Sequence, residues 1–220
     1  MSVGDAQATG HAISFCLALA LAACPTALWV GDLAAAARYT QMLLDHSREH
    51  RLPLWSEFGA RFRRAIAIKR GEPDEIAEPD FSFRSLTGLT ELAEALAHTG
   101  RIAEALAAVE AGIEQSDGGW ITPELLRLKG ELFLLQSTPA AGKAVENLFR
   151  HTLDEARRQE ALAWELRAAT SLARLQRDQG SPADAIACLR PIYDRFTEGF
   201  GTADLIAAKQ LLDDLDAGRR

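Results

Sequence analysis

Cysteine is scarce in this chain, and so are β-branched side chains. The 3 cysteines, Cys16, Cys24 and Cys188, are odd in number, and no pair stands at metal-ligand spacing with histidine. That pattern reads as reduced, buried thiols of a cytosolic protein. Net positive charge is also absent. The formal charge is −7, so the chain has no overall attraction for nucleic acid, and it shows no winged-helix pattern. There is no GxxxxGK[ST] phosphate loop. Gly118-Gly119 precedes Trp120 without a lysine at the needed spacing and reads as a turn. There is no G-x-S-x-G elbow. Paired carboxylates such as Asp213-Asp214, or Glu72 with Asp74-Glu75, read as surface or loop charges. The chain is therefore expected to be no enzyme, with no catalytic residue and no cofactor.

What is present is alanine, leucine and charge. Hydrophobic residues make up 48% and charged residues 25%, the composition of an ordinary globular chain rather than a disordered one. With few β-branched residues the composition favours helix. One long apolar run stands near the start: Ala12 to Val30 carries no charge, which is about enough to cross a bilayer. Leu21-Ala22-Ala23-Cys24 also has the form of a lipoprotein processing site. Against export, the leader MSVGDAQATGH has Asp5 and no lysine or arginine. The run is alanine-rich, as close helix packing requires. It is read as the first repeat helix, in a cytoplasmic protein with no membrane contact; a periplasmic lipoprotein-type scaffold is the alternative.

The stretch Trp164 to Leu215 sets the pattern for the rest. Leu166, Ala169, Leu172, Ala173 and Leu175 share one face of a 3.6 period. Gly180 stops that helix, Ser181 caps the next and Pro182 takes its first turn. A helix, a glycine stop and a returning helix make a hairpin, and one hairpin cannot bury its own apolar face. Turn signals recur at Gly31, Gly71, Gly100, the loop 137–142 and Gly180, about 40, 30, 40 and 40 residues apart, in the range of helical-pair repeats.

In chain order, residues 1–10 are expected to be a frayed, flexible terminus. Ala12 to Trp29 is a helix kinked at Pro25. Asp32 caps Leu33 to Glu49. Pro53 opens a helix to Lys69. The segment 71–85, with two prolines and clustered acids, is an irregular linker where a helix is missing. Leu86 to Thr99 and Ile102 to Gln115 form the next hairpin. Thr122 caps and Pro123 opens the following helix, in which Gly130 marks a close approach. Lys143 to Gln159 returns. Thr202 caps a last helix ending near Leu215, which covers the final hairpin. The aromatics Trp55, Trp120, Trp164, Phe149 and Phe196 read as core or inter-repeat packing. The expectation is an all-α fold: a right-handed α-superhelix of about five hairpins, one incomplete, plus the capping helix at 202–215, in a single domain over 11–220.

Around Gly180, Leu172 and Ala173 stand where a tetratricopeptide repeat has a large and then a small residue, and Ala185 where its second helix has a small one. Beyond the generic repeat, WELRAATSLARL, YDRFTEGF and TADLIAAKQLLDDL, with LWVGDLAAAARYTQMLLDHSREH, IAIKRG and ELLRLKGELFLLQ upstream, resemble a bacterial family over nearly the whole chain. Its members are large ATP-binding signalling regulators with a C-terminal helical-repeat region, some with a winged-helix domain and others with a nucleotide cyclase domain. The resemblance implies a non-catalytic sensor or scaffold part of a transcriptional or signalling regulator. The ATP-binding and cyclase chemistry would then reside in parts outside this chain. The region 72–82 departs from the family by roughly a helix length.

The repeat register, placed on Gly71, Gly130 and Gly180, puts Arg61, Lys69, Arg127, Arg167, Arg174 and Arg177 towards the concave face. Glu94, Glu124, Glu131 and Asp178 oppose them. Such a groove would bind an acidic protein or peptide segment through arginine forks. The competing reading is that Arg167 and Arg174 pair with neighbouring acids between hairpins. A small-molecule effector pocket in the array is the second functional reading. An unpaired repeat face beside 72–82 would expose apolar surface that a homodimer could cover. His46 and His50 lie four apart with Glu49 between them, a spacing that can hold zinc. HSREH lacks the glutamate directly after the first histidine of HExxH and ends a helix, so it reads as a solvated helix end and no metal is expected.

Overall fold

Three-residue connections with a left-handed middle residue separate many of the helices of this chain. The computed structural model describes residues 3–72, 86–136 and 141–218. Among them all regular structure is helical: α1 Val3–Ala8, α2 Ala12–Ala18, a π-helical turn Leu19–Ala23, α3 Cys24–Trp29, α4 Leu33–Glu49, α5 Pro53–Lys69, α6 Leu86–His98, α7 Ile102–Ser116, α8 Thr122–Leu135, α9 Ala141–Arg158, α10 Leu162–Asp178, α11 Pro182–Tyr193 and α12 Ala203–Ala217. The all-α expectation holds, with helix boundaries within about two residues of those read from the sequence. Residues 73–85 of the expected linker and 137–140 of the expected loop lie outside the described residues.

One capping geometry closes six of these helices. At the end of α10, the Gly180 amide donates to the Arg177 carbonyl at 2.9 Å and the Ser181 amide to the Gln176 carbonyl at 2.8 Å. Gly180 takes φ +80°, as this double-bonded cap demands. The same pair of bonds follows α3, α5 and α6, and also α4 and α9. In those last two, Arg51 and Glu160 hold the left-handed position at φ 55° and 54°. Sequence reading, which looked for glycine, had no marker for these two turns.

Start signals fared less evenly. Asp32 caps α4 by accepting from the Ala35 amide at 2.8 Å. Ser181 and Thr202 occupy cap positions but make no side-chain capping bond. Thr122 is already inside the first turn of α8, behind Ile121, and its hydroxyl lies 2.8 Å from that of Ser116. The expected kink at Pro25 takes the form of the π-helical turn just before it. A wider turn accommodates a ring that lacks an N–H and crowds the preceding carbonyls. At the N-terminus Val3–Ala8 is helical, and Ala6 is buried in the first core.

The chain divides into two compact units, Met1–Asp80 and Phe81–Arg220. In the first, Phe15, Cys16, Leu19, Cys24 and Leu28 pack with Ala36, Leu43, Phe62 and Ile66. The stretch Ala12–Trp29 is long and apolar enough to cross a membrane by length and composition; here part of it lines that core. In the second unit, α6, α7 and α8 enclose Ala93, Leu96, Val109, Ile121, Leu125 and Leu132. Helices α9 to α12 enclose Phe149, Leu166, Leu172, Leu189, Leu205 and Leu211. Each helix from α7 to α12 packs on its predecessor in the chain. In addition α8 touches α6 and α10, and α10 touches α12, so alternate helices lie side by side. Gly130 permits the approach of α9 to α8, since a Cβ there would run into the fully buried Phe149 ring. Of the aromatics expected in the core, Phe149 is buried. Trp120 is 51% exposed and stacks on Trp164 with ring centres 6.4 Å apart.

Candidate functional site

The row of alternate helices in the second unit carries a charged seam. It begins at Glu124, in the first turn of α8, where the helix dipole favours a carboxylate. Glu124 is only 4% exposed. Burial alone would raise its pKa, but the charges and hydrogen bonds of Arg127 and Arg167 outweigh burial and hold the carboxyl below its ordinary value. Arg127, one turn on, grips it in a fork, with Nε to Oε2 and Nη2 to Oε1 both at 2.9 Å. A third nitrogen of Arg127 reaches Glu131 at 3.4 Å, and the charge of Glu94 on α6 also acts on it.

Arg167 enters from α10. Its Nη1 lies 3.1 Å from the same Glu124 oxygen and its Nε 2.7 Å from Asp204, in the first turn of α12. Its guanidinium stands 5.1 Å from the Trp164 ring centre. One turn along α10, the Ser171 hydroxyl donates to Glu131 at 2.5 Å. The seam thus joins α8, α10 and α12 by direct bonds, with Glu94 of α6 at its edge. Charged groups this dry are expected only when paired and hydrogen-bonded, as they are here.

The structure therefore brings two of the six candidate arginines and lysines together, Arg127 and Arg167, and engages both with Glu124. Arg174 follows Ser171 on the same side of α10; it is exposed and joins none of these ion pairs. Arg177 is exposed and bonds the adjacent Asp178 at 2.8 Å. Arg61 and Lys69 belong to α5 of the first unit, where the Arg61 guanidinium lies 5.8 Å from the Phe58 ring centre.

Three further clusters stand outside the seam; the first two went unread in the sequence and the third was set aside as a solvated helix end. Glu165, buried at the start of α10, accepts from Arg157 at 2.8 Å and from Arg195 at 2.5 Å. A cleft of about 420 Å³ opens between α9, α10 and α11, lined by Arg150, Asp154, Arg157, Gln176, Asp184 and Cys188 among others. Gln176 is 4% exposed, and its Oε1 has no hydrogen-bond partner among the described residues. Burial pushes the Cys188 thiol up, so it is no ready nucleophile. In the first unit, one ring nitrogen each of His46 and His50 and one oxygen of Glu49 lie within 4.8 Å of one another. The i, i+3, i+4 spacing was the available signal for this last cluster, in the reverse order of HExxH. No protein-family model, curated protein or solved structure matches this chain.

Proposed function

We propose that this chain is a non-catalytic helical-repeat module of the tetratricopeptide kind that binds an acidic protein segment. On this reading it acts in the cytoplasm as the sensor or scaffold part of an ATP-dependent signalling or transcriptional regulator. Consecutive hairpins stack as a right-handed superhelix, and the row α6, α8, α10 and α12 lines its inner face. The observation that carries the reading is the seam on that row. Arg127 and Arg167 are consumed by Glu124; the exposed Arg174, and Arg177 with its pairing to the adjacent exposed Asp178, stand on α10 to meet an incoming carboxylate. Arginine forks on a rigid helix suit carboxylates because the fork is pre-organised.

Fluorescence anisotropy with labelled acidic, neutral and basic peptides of equal length tests this. The acidic peptide binds with salt-sensitive affinity, and Arg174→Glu with Arg177→Glu lowers that affinity at least ~10-fold, about 1.4 kcal/mol. Arg150→Glu, on α9, leaves it unchanged. Equal binding of all three peptides, or no effect of the double reversal, refutes the reading.

A second reading, small-molecule sensing, is favoured by the cleft between α9, α10 and α11, one of whose lining residues, Gln176, has a buried side-chain oxygen without a partner among the described residues. A buried acceptor in that state attracts a ligand N–H donor. A thermal-shift screen in which hits lose their effect in Gln176→Leu supports it; hits indifferent to that change do not.

A further inference from the structure

We propose that the last turn of α4 is a binding site for one divalent transition-metal ion of the zinc class, held by His46, Glu49 and His50. The three side chains stand at i, i+3 and i+4, the spacing that puts them on one helical face. One ligand atom from each already lies within 4.8 Å of the others. Closing that gap to a shared ion takes side-chain rotation and no backbone change, because all three come from one helix end.

The two imidazoles are in near contact, with ring centres 4.3 Å apart and planes tilted by 52°. Phe15 also packs on the His46 ring, edge to face at 4.9 Å, which limits the orientations that ring must give up on binding. Nothing competes for it: the buried Nε2 of His46 has no hydrogen-bond partner among the described residues. Arg48, the cation inside this turn, pairs with Asp45 at 3.3 Å. The site is also a helix C-terminus. The last carbonyls of α4 carry partial negative charge and favour a cation beside them.

The donor set selects the ion. Imidazole nitrogens suit zinc, nickel and copper, whereas magnesium and calcium prefer all-oxygen sites. Two imidazoles and one carboxylate leave at least one position of a tetrahedral ion open to water or to a further ligand. Bound there, the ion would tie the end of α4 just before Arg51 turns the chain into α5.

The test uses the full chain, stripped with a chelator and titrated with zinc by calorimetry, beside magnesium and calcium. Zinc binds once per chain, magnesium and calcium do not, and cobalt gives the visible bands of a four-coordinate nitrogen and oxygen site. His50→Ala lowers the zinc affinity at least tenfold, Glu49→Gln less, and His98→Ala, on α6, not at all. His46→Ala also removes a contact with Phe15, so the exposed His50 and Glu49 decide the matter. No saturable zinc binding overturns the proposal. So does binding that survives both His50→Ala and Glu49→Gln.

Discussion

Glu124→Gln keeps the shape of the side chain and removes its charge, leaving two buried guanidinium groups facing a neutral amide. Arg127 and Arg167 are 16% and 15% exposed, so water cannot take over the role of the lost carboxylate. Removing one member of a buried ion pair costs ~3–5 kcal/mol. Arg127 retains Glu131 and Arg167 retains Asp204, which places the expected loss at the lower end, ~3 kcal/mol. At ~2–4 °C per kcal/mol for a chain of this size, Tm falls by ~6–12 °C. Thermal and urea unfolding followed by far-ultraviolet circular dichroism measure both quantities. A double-mutant cycle with Arg127→Met isolates the pair and should return a coupling of ~1 kcal/mol or more. A loss within ~0.5 kcal/mol, as for an ordinary surface substitution, together with an additive cycle, would refute the argument. The seam would then be solvated surface and its arginines free to bind.

The same carboxyl sets an acid limit. Its folded pKa is held below the unfolded value of ~4.3, so its stabilisation is complete above that pH and is lost as pH falls through the folded value. The urea midpoint should therefore drop steeply below about pH 4 in the native chain and less steeply in Glu124→Gln; equal slopes count against the assignment. Two turns of the same geometry should respond with opposite signs. Gly180→Ala forces a side chain to φ +80° and costs ~1–2 kcal/mol, whereas Glu160→Gly relieves φ 54° and gains a few tenths to ~1 kcal/mol after the entropy of glycine is offset. Both are read from the urea midpoint, and a shared sign would mean that the turn conformation is not what matters. Gly130→Ala drives a methyl into Phe149. Overpacking of ~1–3 kcal/mol should outweigh the ~1 kcal/mol gain in helix propensity, so a stabilised variant would show that α9 can move away.

Much of the helix layout was legible because apolar spacing and glycine stops carry it. Gly180 ends α10 and Gly130 meets Phe149 as the pattern implied. The turns at Arg51 and Glu160 were not marked, since tertiary packing holds those side chains in a conformation glycine would adopt freely. The π-helical turn before Pro25 was read only as a kink, because periodicity registers a break without its geometry. At the candidate site, the register supplied Arg127 and Arg167 together with the acids Glu124 and Glu131. It did not reveal that one carboxylate binds both arginines, or that Glu165 is gripped by Arg157 and Arg195, since such partners meet through packing of helices far apart in sequence. The HSREH cluster was legible in spacing but was set aside for lacking the forward HExxH order.

The seam has a mechanical consequence. Helices α8, α10 and α12 are not consecutive, yet Glu124, Arg167 and Asp204 bolt them directly to one another across their polar edges. Hydrophobic packing between neighbours tolerates sliding, whereas charge-assisted hydrogen bonds from one guanidinium to carboxylates on two other helices are directional. Any flexing that spreads these three helices must first stretch the two bonds of Arg167. Along this row, bending of the second unit is thus resisted by a handful of charges as well as by apolar packing.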